Sequence, residues 1–266
     1  MGMTNAGVWA ELRTEWLGRD MICHEQIDST NLEAVRLAEE GAPDGLAVTA
    51  ECQSAGIGRR GRNWESAEGA GIFMSILLRP QIEPDRASMT TLVTAYSIAS
   101  VLDEQYDLDV KIKWPNDIVL NKKKVAGILT QMQAGPEGIR HLVIGIGVNV
   151  NTSAFSPELE DKATSLLRET GQLYDRNVLT ADILNRLEYD LERFYRERNL
   201  EFLKAEYEQF LINKGEPVRI VGREEEWSGV ALGINKTGEL LVQRADGVLE
   251  SVDSGEVSVR GLYSYV

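Results

Sequence analysis

Apolar and polar positions along the chain alternate with two periods, near two and near four residues, and so predict both strands and helices. Ile22 to Ile27 and Leu46 to Ala50 are runs of strand length, and Ile72 to Leu78 reads as a buried strand. Between the first two, Leu32, Val35, Leu37 and Ala38 predict a helix that ends at Gly41. Val8 to Leu17 predicts a shorter one upstream. Ser88 to Gln105 predicts a longer helix, with Leu92, Ala95, Ala99 and Leu102 down one core-facing side. Val110 to Leu120 alternates on both sides of a Trp114-Pro115-Asn116-Asp117 break. Asn121, Lys122 and Lys123 form an expected hairpin tip with solvated lysines, and Lys124 opens the returning strand. His141 to Val150 is an apolar strand whose Gly145 and Gly147 fall on one face, a flat strip that either packs a helix or floors a pocket. Leu179 to Asn213 carries two amphipathic helices, with Ile183, Leu187, Leu191 and Phe194 on the first and Phe202, Tyr207 and Phe210 on the second. The composition shifts at Lys214-Gly215-Glu216-Pro217, and Val218 to Tyr265 has the glycine-punctuated alternation of a small β-barrel domain. Glu224 to Glu226 reads as its solvated hairpin tip.

At 266 residues the chain is long enough for two domains, and its 43% hydrophobic and 26% charged residues are ordinary for a globular protein. A formal net charge of -14 disfavours a nucleic-acid surface. Cys23 and Cys52 lack metal-ligand spacing and fit a reduced, cytoplasmic setting. Neither a membrane-spanning stretch nor a signal peptide is expected. His24 and His141 have no partners at the spacing of a catalytic triad or a zinc site.

Ala50 to Trp64 holds the densest chemistry. Gly56, Gly58 and Gly61 alternate with Arg59, Arg60 and Arg62, between Gln53 and Trp64. Glycines allow close approach and unusual dihedrals, and guanidiniums grip phosphate or carboxylate with paired hydrogen bonds. The stretch fits either a solvated basic turn or a loop that closes over an anion. The spacing Gly56-x-Gly58-x-x-Gly61 matches the dinucleotide fingerprint, but the residues after it carry no helical apolar stripe. Kinase and Walker-type partner motifs are absent as well.

Two other places invite chemistry. Thr30 followed by Glu33 is a capping box, so Ser29 and Thr30 either cap the helix or join its free N–H groups in an anion or carbonyl site. Lys124 lies three residues before Gly127, where a strand tolerates a ligand, yet on its own it also fits a plain strand lysine.

Taken in order, Asp28-Ser29-Thr30-Asn31, the Gln53–Trp64 loop, Lys113-Trp114-Pro115-Asn116-Asp117, Lys124-x-Ala126-Gly127-Ile128-Leu129, Gly145-x-Gly147-x-Asn149 and Gly255-Glu256-Val257-Ser258-Val259-Arg260 resemble the biotin protein ligases. The likeness covers nearly the whole chain. It implies an α/β (α+β) fold: a mixed β-sheet with packed helices in residues 1–214, related to class II aminoacyl-tRNA synthetases, and a small C-terminal β-barrel in residues 215–266. It also implies that biotin and ATP, with magnesium, give biotinyl-5′-AMP, and that a lysine of a biotin carboxyl carrier protein domain then takes the biotinyl group. The carrier belongs to acetyl-CoA carboxylase or a related carboxylase; no nucleic acid or membrane is expected, and a homodimer through paired sheet edges is allowed.

By the same resemblance Ser29, Thr30, Asn31, Gln53, Ile57, Gly58, Arg59, Lys124, Gly127 and Gly147 surround biotin. Arg59, Arg62, Trp64, Asn116, Lys124, Asn149 and Arg260 hold ATP. Lys124, Arg59 and Asp117 carry the catalysis, with no protein-bound metal, and Asn116 and Asp117 position either the acceptor lysine or the magnesium. Ile57 stands where the family commonly carries a cation, so a more weakly held adenylate is expected. The stretch before Cys23 is too brief for the helix-turn-helix of relatives that double as repressors, which implies a ligase alone. The rival readings are a lipoate or octanoyl ligase and a non-enzymatic biotin sensor or repressor fragment; Lys124 and the glycine–arginine loop weigh against both.

Overall fold

The computed structural model describes residues 2–65, 67–222, 226–254 and 258–261. Seven strands form the main sheet: β1 (Met21–Ile27), β2 (Ala47–Gln53), β3 (Gly71–Leu78), β4 (Val110–Lys113), β5 (Asp117–Leu120), β6 (Lys123–Gly135) and β7 (Gly138–Asn149), in the order β1-β2-β3-β7-β6-β5-β4. Only β1 and β2 run parallel, joined by the crossover helix α2 (Thr30–Glu39), so the sheet is mixed. Every residue of β3 is buried. Its alternate side chains enter two cores: Leu77 packs with Ala34 and Ala38 of α2, while Met74 and Ile76 join the larger core on the other face.

That larger core also holds α3 (Ala87–Glu104) and α5 (Arg176–Glu197). α3 is buried on nearly all sides from Ala87 to Leu102, not on one face as its pattern suggested. It is wedged between the sheet, α5 and α6 (Lys204–Phe210), and its Thr and Ser hydroxyls tolerate burial: Thr94 and Ser97 donate to carbonyls one turn back. The upstream helix α1 covers Asn5–Glu11, earlier than expected, with Thr4 accepting from the Gly7 N–H as its cap. Beyond it the chain is turned by α5: the N–H groups of Glu15, Trp16 and Leu17 all donate to the buried Glu188 carboxylate, at 2.6, 2.9 and 2.7 Å. A short helix α4 (Leu166–Thr170), capped by Ser165, gave no clear periodic signal.

At the β5–β6 hairpin Asn121 (φ 47°) and Lys122 (φ 65°) both adopt the left-handed region, as a two-residue turn requires. Lys123, expected at the solvated tip, belongs to β6 and donates to the Glu160 carbonyl at 2.9 Å. The C-terminal unit is a five-stranded antiparallel sheet of β8 (Pro217–Val221), β9 (Glu226–Ile234), β10 (Leu240–Gln243), β11 (Leu249–Val252) and β12 (Ser258–Gly261), ordered β11-β10-β9-β8-β12. Glu224 and Glu225 of the expected tip lie outside the described residues, as does Gly255 to Val257. This sheet is pinned to the main one by Trp114, whose Nε1 donates to the Gly238 carbonyl at 3.0 Å.

Candidate active site

β2 and β3 are hydrogen-bonded neighbours, so the glycine–arginine loop that joins them rises from the sheet and folds back on itself. The Gly58 N–H donates to the Arg62 carbonyl at 2.7 Å and the Trp64 N–H to the Gly56 carbonyl at 2.9 Å. Arg60 (φ 58°) and Gly61 (φ 70°) make the reversal; only the second is a residue type that adopts this conformation freely. The loop's stems are clamped. Arg176, buried at the start of α5, donates to the Gly71 carbonyl at 3.1 Å and pairs with Glu51 at 2.8 Å.

This fold lays the Trp64 indole over Gly127 and Gly147, which face each other across β6 and β7. A Cβ on Gly147 would lie 2.5 Å from the ring, and one on Gly127 2.9 Å. Gly145, two residues earlier on the same face, receives Asn31 instead: its Cβ would meet Asn31 Oδ1 at 2.1 Å. The strip therefore does both things its spacing allowed, packing a helix start at one glycine and carrying a pocket wall at the other.

At that helix start the capping-box expectation fails. Ser29 is the cap residue and makes no side-chain cap bond, while Thr30 is already helical. The Thr30 N–H and hydroxyl both turn to Gln53 Oε1, at 2.8 and 3.1 Å. A carboxamide on the neighbouring strand satisfies one of the helix's orphan donors and draws the hydroxyl away from local capping.

Lys124 and Asp117 lie near each other because β5 and β6 pair around the hairpin. Lys124 Nζ is 2.7 Å from Asp117 Oδ1 and 5.2 Å from the centre of the Trp64 ring. Asn116 Nδ2 donates to Asp117 Oδ1 at 2.9 Å, and Asn116 Oδ1 accepts from Arg59 at 2.7 Å. Arg59 also donates to the Ser254 carbonyl at 2.5 Å, joining the loop to the small sheet. Burial pulls the Arg59 guanidinium below its ordinary value; Asp117 opposes this, and the nearby Arg60 and Arg62 add to it. A guanidinium still keeps its charge at any physiological pH.

These groups line a half-open cavity of about 420 Å³, open solvent at its mouth included, bordered among others by Ser29, Thr30, Asn31, Gln53, Ile57, Gly58, Arg59, Asn116, Lys124, Gly127 and Gly147. A second and wider hollow of about 1010 Å³ shares Gln53 and Trp64 with it and continues past Asn149, Thr152 and Phe155. The smaller cavity has neutral hydrogen-bonding groups on one side and the cations Arg59 and Lys124 on the other, while the wider hollow is lined by no Lys or Arg.

Comparison with known proteins agrees with this construction. The model of the Biotin/lipoate A/B protein ligase family matches residues 23–149, and that of the Biotin protein ligase C terminal domain matches 215–260. The bifunctional ligase/repressor BirA of Bacillus subtilis is 37% identical over 242 residues, which cover 89% of this chain and 73% of the relative. The biotin–[acetyl-CoA-carboxylase] ligase of Paracoccus denitrificans is 33% identical over 230 residues, 83% of this chain and 92% of that one. Among solved structures, the biotin protein ligase of Aquifex aeolicus in complex with biotin and ATP superposes with a TM-score of 0.81 at 31% identity, over 91% of this chain and 99% of its own. The chain belongs to the biotin protein ligase family.

Within this biotin protein ligase family member, all the residues expected around biotin line the smaller cavity. Of those expected around ATP, Trp64 borders both cavities, Asn149 borders the wider one, and Asn116 and Lys124 border the smaller. Asn149 is anchored by donating from Nδ2 to the Thr164 carbonyl at 3.0 Å. Arg62 is exposed and lines neither, and the Arg260 side chain is outside what is described. Sequence reasoning missed Ser75, Gln131, Thr152 and Phe155. Ser75 alone left a signal, as the one hydroxyl in an otherwise apolar strand.

Proposed function

We propose that this chain activates biotin with ATP and transfers it to a lysine of a biotin carrier domain, with residues 1–214 catalytic and the small sheet from residue 215 holding the loop. One observation carries the reading: Lys124 and the glycine–arginine loop border one cavity that also has a neutral hydrogen-bonding wall. A carboxylate and a polyphosphate repel each other, so fixed cations are needed where they meet. The biotin carboxylate attacks the α-phosphorus of ATP and expels pyrophosphate. The acceptor amine then attacks the mixed anhydride, loses a proton, and releases AMP from the new amide.

Lys124 is the cation placed to bridge carboxylate and α-phosphate, exchanging Asp117 for these anions as they bind. Arg59 supplies a second, flat, two-pronged cation. The adenine stacks beside Trp64 in the wider cavity, with Asn149 near its edge. Arg62 and Arg260 reach the nucleotide as the loop closes, which keeps water from the anhydride. Magnesium belongs to this scheme as part of the ATP substrate. Among the described residues no three His, Cys, Asp or Glu side chains gather as a metal site, and one carboxylate with phosphates suits that ion. Asp117, with Asn116 beside it, fits that role; when bound, the ion spreads the charge of the phosphates.

The carrier of acetyl-CoA carboxylase or a related carboxylase is the proposed partner, in the cytoplasm, with neither nucleic acid nor membrane involved. No helix among the described residues is long and apolar enough to cross a bilayer. Radiolabelled biotin, a carrier domain and the chain test the reading directly. Label should enter the carrier only with ATP present, and failure to enter under those conditions would refute it. Lipoate in place of biotin separates the family's other substrate class.

A further inference from the structure

A polar chain, buried at its centre, runs Gln131, Asn31, Ser75, Thr30, Gln53 through the cavity wall and into the sheet behind it. Ser75 is its centre, fully buried on β3. Its Oγ lies 2.6 Å from Asn31 Oδ1 and 2.8 Å from Thr30 Oγ1. Asn31 Nδ2 donates to Gln131 Oε1 at 2.9 Å, and Asn31 Oδ1 faces Ser75. An amide oxygen only accepts, so the single Ser75 proton goes to Asn31. Toward Thr30, Ser75 therefore offers only lone pairs. The Thr30 hydroxyl then has two protein acceptors, Ser75 Oγ at 2.8 Å and Gln53 Oε1 at 3.1 Å. Whichever takes its proton, Thr30 can offer the cavity only an acceptor.

We propose that Ser75 is a positioning residue that sets this polarity, holding Thr30 Oγ1 as an acceptor for a ring N–H of the ligand, the donor that a cyclic urea carries and a dithiolane or plain acyl chain lacks. This rests on the biotin reading and adds the device by which the buried end selects a urea. Gly145 belongs to the device, because only a residue without Cβ leaves room for Asn31 to fix the proton order.

The test compares wild type with Ser75→Ala in pyrophosphate exchange, using two acids: biotin, and 5-(thiolan-2-yl)pentanoate, which keeps the ring sulfur and acid chain without the urea. In Ser75→Ala the Thr30 hydroxyl loses the closer of its two partners and keeps only the longer contact to Gln53 Oε1 at 3.1 Å, so its rotamer and proton are held less firmly. The KM for biotin should rise about tenfold, as for loss of one buried hydrogen-bond partner, while the KM for ATP and the response to the urea-free acid stay as in wild type. Ser75→Cys, close in shape and a weaker hydrogen-bonding group, should fall between. An equal loss for both acids would mean that Ser75 only supports the fold and would overturn the inference, as would an unchanged biotin KM. Wild type that exchanges with neither acid would instead bring down the biotin reading itself, and this inference with it.

Discussion

The two ends of the smaller cavity are built on opposite plans. The buried end is made of neutral groups on the sheet and a helix start, Ser75, Thr30, Asn31, Gln131 and Gln53, joined in one hydrogen-bonded chain. The mouth is made of ions on a loop and a hairpin: Lys124 against Asp117, and Arg59 against Asn116 and the Ser254 carbonyl. A neutral network tied into rigid elements holds one proton order and suits discrimination by shape and donor pattern. Charges on shorter-range supports can trade one partner for another, which suits a site where two anions must arrive, react and leave. The internal partners at the mouth also keep its cations from lying unpaired when the ligand sites are empty.

This contrast can be broken most sharply at Lys124. Lys124→Ala should slow adenylate formation by about a hundred- to a thousandfold, with the melting temperature unchanged within a few degrees; biotin-dependent pyrophosphate exchange measures it. Next in size, Glu51→Ala strands the buried Arg176 at the loop's stems and should cost about 3 kcal/mol, as breakage of buried pairs does, read by denaturant unfolding. If the stems proved indifferent, the mouth would be looser than its clamp implies. At the buried end, Gly145→Ala puts a Cβ against Asn31 Oδ1 and should cost roughly 1–3 kcal/mol of stability, together with a higher biotin KM and an unaltered KM for ATP. Ile57→Arg would move the mouth's plan one residue inward. It should slow release of the adenylate by about tenfold or more, the worth of one hydrogen bond to a charged group; equal release rates would contradict it.

His141, at the far end of β7, gives a background for both ends. Burial, with Arg79 and Arg140 adding to it, holds its imidazole below the ordinary 6.5. The unfolded chain takes up this proton first on acidification, so stability is lost as pH falls below about 6.5. The loss stops growing once the folded imidazole also protonates. His141→Gln should flatten that part of the pH–stability curve and leave exchange activity alone.

Much of this was legible along the chain. The buried strand at Ile72 to Leu78, the α5 stripe and the break at Trp114 to Asp117 follow from periodicity, because burial imposes it directly. The glycine–arginine loop and Lys124 stood out by composition. Less legible were the features set by neighbours remote in sequence. α1 ends at Glu11, and beyond it the chain is held by Glu188, more than 170 residues away, which gathers three N–H groups. α3 lost its one-sided pattern because it is packed on all sides.

By itself, then, the sequence determined which segments are strands and helices, where glycines and arginines are concentrated, and which glycines share a face. Each of these depends on residues within a few positions of one another. The tertiary structure alone decided that Gly145 seats Asn31 while Gly147 seats Trp64, that Thr30 turns from its own helix to Gln53, and that Ser75 sets the proton order behind the cavity wall. Those outcomes depend on which strands become neighbours and in what register, and that is settled by packing of the whole core.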